Sequence, residues 1–416
     1  MAWMPVDATF SSSLLNSPKA DKIGTMPWRK RLDKSIQPFF VHLPPQPRSG
    51  CIFHPIHMKQ TAPTNHGTRR ARQSNMELLR ITAMLMVLCL HATFETFGWP
   101  RASMVQGEPW RWLALMVVNA LTLPCVDVFV LITGWFGTRF SLRGTGRLVF
   151  QIGFVGWSMC LLLPLWALPQ PADAAGWLKV LTGYWFPCSY LVLYLFTPML
   201  NAWVEQTGEA QQRRTLLVLF GLLIPASLFL DDLRRGFAAV PFMALYLLGR
   251  HLRLYVAPRW ASVPRSHFVW GYAFTSLASA LLLWGLGMTS QRGIDCFIPL
   301  YSAYTSPLVL FQSCMLLLLF ARLQFSSRVV NWVAAGSFAV YLTHQQPYVR
   351  AAFYQLLRHV HATHAVWAAP LLIAGILLAV FLASVVLDAL RRLAWSGLEK
   401  MVTSLVRRAA SFCLFH

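Results

Sequence analysis

The stretch SNMELLRITAMLMVLCLHATFETFG carries Glu77, Arg80, His91 and Glu95 inside an otherwise apolar run. Ionisable groups in hydrocarbon are costly, so each is a candidate for function. Arg80 and His91 are about three helical turns apart, which sets them on one face of a helix and ~16 Å apart along its axis. Glu95 lies one turn beyond His91, within reach to orient the imidazole. A lone intramembrane histidine serves packing as readily as chemistry, but an arginine on the same stripe tips the balance. Together they suggest a channel with a phosphate-binding cation at its mouth and a group able to take a proton near neutral pH at its depth.

A second segment, SFAVYLTHQQPYVR, repeats the theme. His344 falls near the depth of His91 if both helices rise from the same side, and Pro347 opens the helix just beyond it. A helix-to-helix hydrogen bond is the plain role for His344; a direct part in the chemistry is the alternative. Asp127, the lone acid of LPCVDVFVLITGWFG, is expected to pair with a basic group of a neighbouring helix. Arg139, Arg143 and Arg147 crowd one short loop, where they either cradle an anionic cofactor or mark topology. The eight cysteines form no C-x-x-C pair, and most sit in apolar runs as small hydrophobes. His359, His361 and His364 have no cysteine or carboxylate beside them and read as a solvated loop. No metal site is expected.

These residues must be held by elements that a bilayer accepts. Of 416 residues, 56% are hydrophobic and 12% charged, with a mean hydropathy of +0.49. A soluble domain carries about a quarter charged residues. Runs long enough to span recur at 76–98, 112–135, 148–168, 177–200, 215–230, 237–255, 268–288, 297–321, 332–353 and 366–387. The fold class is therefore all-α, a polytopic integral membrane bundle of about ten helices. The net charge of +21 sits in short loops and tails rather than on a basic face, which argues against nucleic acid and for positive-inside signalling. Arg143 and Arg259 then lie in the cytoplasm with both termini, and the loops around Pro169, Asp231 and Gln291 lie outside. Residues 1–74 are Pro-, Ser- and Arg-rich and read as a disordered cytoplasmic tail; the competing reading is that the part before Met58 is an over-extended gene start. The transmembrane domain covers 75–392, and 393–416 form a cytoplasmic C-terminal tail.

The segments SNMELLRITAMLMVLCLHA, VDVFVLITGWFGTRFSLRGTGRLV, WFPCSYLVLYLFTPMLN, LYLLGRHLRLY and FAVYLTHQQPYVR resemble the acyltransferase-3 family, from about Asn75 to about Arg392. The most specific element is Arg-x10-His in the first span, matched by Arg80 and His91. The resemblance implies an O-acyltransferase of the bacterial cytoplasmic membrane. Its donor would be acetyl-CoA or another acyl-CoA on the cytoplasmic side. Its acceptor would be a hydroxyl of a surface or extracellular polysaccharide, or of a lipid-linked precursor, and polysaccharide assembly machinery is a further expected partner. The family's basic pair after the second span is often spaced Arg-x-x-Arg; here Arg139, Arg143 and Arg147 depart from that spacing.

The expected mechanism is direct transfer, with the donor's phosphates on Arg80 and the Arg139–Arg147 group and His91 as general base. Asp127 and His344 would support substrate or structure. The rival from another class is a secondary transporter or flippase for a glycolipid, which would favour inverted repeats that the two halves do not display.

Overall fold

The computed structural model describes residues 73–230 and 239–414, with side chains described up to residue 405. Those residues belong to one compact unit, Ala71–His416. The expected tail, the start at Met58 and the Asp231 loop lie outside them. Every regular element among them is helical.

In chain order the helices are α1 (Ser74–Phe97), α2 (Ala102–Gly107), α3 (Pro109–Thr122), α4 (Cys125–Phe136) and α5 (Leu142–Leu162). Then follow α6 (Ala174–Thr182), α7 (Trp185–Gln206), α8 (Glu209–Phe229), α9 (Ala239–His251) and α10 (Arg265–Thr289). The last are α11 (Gln291–Ser302), α12 (Pro307–Ala321), α13 (Arg328–His344), α14 (Arg350–Thr363) and α15 (Ala368–Leu414). Among the described residues, six helical stretches are long and apolar enough to cross a membrane. The bent pair α6 and α7, at 63°, makes a seventh if it is one span. The protein is thus an all-helical membrane bundle, with fewer full-length spans than the ten apolar runs suggested.

The difference has local causes. The run 332–353 is two helices, because α13 stops at His344 and Gln346 turns back on the chain. Its Oε1 accepts from Tyr348 N at 2.6 Å and Val349 N at 2.9 Å, which caps the start of α14 just past Pro347. The run 237–255 is a short α9 continued by a π-helical turn, Leu252–Val256. The segment read as a C-terminal tail continues α15, which runs on to Leu414. Its Leu371, Leu382 and Leu390 are each more than half exposed, the surface that lipid rather than water would cover.

Two contacts fix the depth of the site. Ser74 Oγ donates to Asn331 Oδ1 at 3.0 Å and accepts from Ser327 N at 2.9 Å, tying the start of α1 to the start of α13. Ser327 also caps α13 by accepting from Val330 N. The two helices pack along each other from that shared level. Each needs about 25 Å of rise to reach its histidine. At the same end, the buried Asp388 accepts from Gln151 Nε2 at 2.8 Å and from Arg391 Nε at 2.9 Å, joining α5 to α15. Arg391 is 1% exposed and belongs to this internal network.

Candidate active site

His91 of α1 and His344 of α13 meet. His91 Nδ1 lies 2.9 Å from His344 Nε2, and the ring centroids are 5.3 Å apart. The tautomers follow from the far end of the pair. His344 Nδ1 lies 2.5 Å from Val340 O, and a carbonyl can only accept, so that nitrogen carries the proton. His344 Nε2 is then the acceptor, and His91 Nδ1 donates to it. What remains on His91 is Nε2 with its lone pair, the form required of a general base.

His91 borders a narrow apolar cavity walled by Met84 and Val87 of α1, Phe129 of α4, Trp185 and Phe186 of α7, and Phe338 and Tyr341 of α13. The aromatic rings support one another: Phe338 stacks on Tyr341 at 6.1 Å, and Phe186 stands 6.0 Å from Tyr341. Water is largely excluded from such a wall, which strengthens any electrostatic contact made at the imidazole.

Arg80 sits toward the start of α1. Its Nη1 donates to Glu77 Oε1 at 2.7 Å, and its guanidinium lies 5.6 Å from the Phe136 ring centroid. Glu77 is buried, so the pair is an internal one at that end of the bundle. Arg80 therefore shares the helix with His91 and stands well away from it along the axis.

The remaining sequence-derived residues are placed differently. Glu95 does not orient His91: its side chain is exposed, and its backbone oxygen accepts from Arg358 Nη1 at 2.7 Å. The imidazole is oriented by His344, because that ring reaches it directly across the α1–α13 contact. Among the described residues Asp127 pairs with no basic group. It is fully buried in the first turn of α4, and neither carboxylate oxygen has a hydrogen-bond partner. The helix N-terminus is the favourable field it does have. Arg143 meets Glu399 of α15 through two bonds of 2.7 and 2.8 Å, and Arg139 lies 3.8 Å from Glu205. Among the described residues no cluster of three or more His, Cys, Asp or Glu gathers to hold a metal.

The three histidines read as a solvated loop are split, since His359 and His361 lie in α14 and only His364 follows it. His361 takes Arg111 Nη2 at 2.7 Å and packs edge-on against Phe97 at 4.7 Å. Arginine only donates, so this contact requires neutral His361. Partial burial, then the Arg111 charge, hold the His361 pKa below its ordinary value of 6.5. The folded protein therefore binds fewer protons than the unfolded chain in that range. The contribution is complete above the ordinary value and is lost as pH falls through it toward the lower folded value. Thermal stability of the purified protein should drop as pH is lowered from 7.5 to 5.5, and His361→Gln should flatten part of the drop. An identical pH profile in the variant would remove His361 from this account.

Sequence reasoning passed over two arginines near Arg80. Arg253 donates from Nη1 to Trp135 O at 2.8 Å, and Arg250 lies beside Gly137. Their return toward α4 is visible only once α9 is seen to pack along α4. The aromatic wall was likewise not legible, since its members come from four helices.

The site is thus a His91–His344 pair inside an apolar-faced helical bundle, with Arg80 nearer one end of the same helix. A family model described as an acyltransferase domain matches residues 73–389, and the chain belongs to that acyltransferase-3 family. No curated protein and no solved structure matches it significantly. The chain is thus a membrane acyltransferase.

Proposed function

We propose that the protein transfers an acetyl group from acetyl-CoA to a hydroxyl of a surface or extracellular polysaccharide, or of its lipid-linked precursor, in a bacterial cytoplasmic membrane. The observation that carries the reading is the His91–His344 pair, which leaves His91 Nε2 as a base beside an apolar cavity. The start of α1, with Arg80, faces the cytoplasm in this reading, as the basic loops favour. The thioester supplies the activated acyl carbon when bound. His91 Nε2 takes the proton of the acceptor hydroxyl as its oxygen forms the new ester bond at that carbon. The carbon–sulfur bond breaks, and His91 passes the proton to the departing sulfur. His344 holds the imidazole and shares the charge that forms on it, its own Nδ1–H remaining hydrogen-bonded to Val340 O. The acceptor enters from the opposite face, and longer acyl groups would follow the same steps.

Deleting the gene and measuring ester-linked acetyl by proton NMR tests the proposal, using extracted exopolysaccharide, lipopolysaccharide and periplasmic glycans. One acetyl signal should vanish and return with the intact gene. Unchanged acetyl content in all three fractions would defeat the glycan assignment.

A further inference from the structure

The last turn of α4 is ringed by guanidinium groups. Arg80 of α1 lies 5.6 Å and Arg253 lies 5.7 Å from the centroid of the same Phe136 ring. Arg250 of α9 presses against Gly137, where a Cβ would meet its Nη1 at 2.6 Å. Gly137 has φ of 59°, a left-handed cap that glycine adopts without strain, and its missing side chain is the room the guanidinium occupies.

Beside this ring lies a polar cavity of about 460 Å³, lined by Gln73, Asn75, Trp135, Arg253, Gln324 and Phe325. That is the size of a small-molecule site. It lies where α1 starts, since Gln73, Asn75 and Met76 line it.

Resting on the donor reading above, we propose that Arg250 and Arg253, with this cavity and Arg80, bind the phosphate groups of the nucleotide half of the thioester donor. The charges of this end are not all matched by carboxylates. Arg80 has Glu77, but Arg250 has no carboxylate partner among the described residues, and its buried Nε has no hydrogen-bond partner. A buried cationic donor without an acceptor is costly, and an anion supplied by a ligand relieves that cost. The arginines after the second apolar run contrast with it: Arg143 is held in a two-bond fork by Glu399, and Arg139 faces Glu205. Guanidinium forks match phosphate oxygens, so Arg253 in the cavity wall, with Arg80 and Arg250 against the adjoining end of α4, forms a fitting receptor for a pyrophosphate. The plainer role is that Arg250 and Arg253 cap the carbonyl end of α4. That role explains the bond to Trp135 O and leaves the orphaned Nε of Arg250 and the polar cavity unexplained.

The two roles separate by binding. Free coenzyme A is titrated into the purified full-length protein by calorimetry, with inorganic pyrophosphate as a competitor and melting temperature measured alongside. Arg250→Gln and Arg253→Gln should each weaken coenzyme A by about tenfold or more, as expected for one charge-assisted phosphate contact. Both should also blunt competition by pyrophosphate. Arg259→Gln, which removes only the surface pair with Glu209, should stay within about twofold of the parent. If a glutamine variant does not fold, the matching lysine variant keeps the charge without the fork and should show a partial loss. Parental affinity in both Arg250 and Arg253 variants overturns the site, as does a melting-temperature loss with coenzyme A affinity intact. So does a loss confined to Arg143→Gln, which would return the phosphates to that group. Absence of coenzyme A binding to the parent overturns the donor reading itself, a different result from parent binding that the variants leave unchanged.

Discussion

His91→Ala should lower acyl transfer by a hundred- to ten-thousand-fold, the usual worth of a positioned general base, at parental abundance in the membrane. The geometry makes the variant informative beyond loss of a base. His91 is one of a pair, and His344 Nε2 has His91 Nδ1 as its neighbour at 2.9 Å. Removing His91 leaves His344 with its Val340 bond and an acceptor nitrogen facing a void that water can enter. Removing His344 instead leaves His91 in place but free to rotate and to choose either tautomer. His344→Gln can still offer its amide oxygen to His91 Nδ1, so it should retain far more activity than His344→Ala. The acid limb of the rate profile should move in both, because the group that shares the imidazolium charge has changed. A merely structural pair would lower the amount of folded protein and leave the pH profile of the remainder alone. Transfer from radiolabelled acetyl-CoA to isolated glycan, normalised to folded enzyme, decides the matter. Parental rates in His91→Ala would end the mechanism and leave the family assignment standing.

The stripe on α1 was readable in the sequence because a helix repeats at a fixed angle and rise. Arg80 and His91 share one segment, so their relation needs no knowledge of the fold. His344 was placed at similar depth by the same counting, but its contact with His91 was not fixed. That contact depends on Ser74, Asn331 and Ser327 setting the two helices level. Glu95 failed as the orienting group for a related reason. Helical spacing says which residues can reach each other, while a side chain from a neighbouring helix competes for the same nitrogen. Asp127 shows the limit of charge arguments, since a buried carboxylate was expected to find a cation and the described residues supply none. Helix breaks were the least legible part of the spans: Gln346 and Pro347 end and restart a helix inside one apolar run, and hydropathy averages across that break. Arg250 and Arg253 were legible as charges but not as neighbours of Arg80, because only the packing of α9 on α4 returns them to the start of α1.

That same packing carries the second large effect: Gly134→Val should leave little folded protein. A Cβ at Gly134 would stand 2.1 Å from Tyr246 O, and one at Gly249 would stand 2.4 Å from Leu131 O. Each obstacle is backbone of the opposite helix, so no side chain can swing aside. The helices α4 and α9 must separate, and the contact is reciprocal, with each glycine receiving the other helix. Overpacking a core costs about 1–3 kcal/mol when side chains can adjust. Here the cost should exceed that, against a total stability on the order of 5–15 kcal/mol. Small residues are what allow such close backbone approach in membrane bundles, where no hydrophobic drive between helices compensates for lost packing. The consequence reaches the site. Phe136 and Gly137 end α4, and Arg250 arrives on α9, so any separation also moves the arginine ring. Gly134→Ala and Gly249→Ala should therefore lower both melting temperature and coenzyme A affinity. Gly285 provides the opposite sign: it lies inside α10 with nothing within 4 Å of an added Cβ. There, Gly285→Ala should be neutral or stabilise by about 0.5–1 kcal/mol through helix propensity. Size-exclusion profiles and melting curves of the four variants in one detergent give the comparison. Gly134→Val eluting and melting like the parent would show that α4 and α9 are not locked at this crossing.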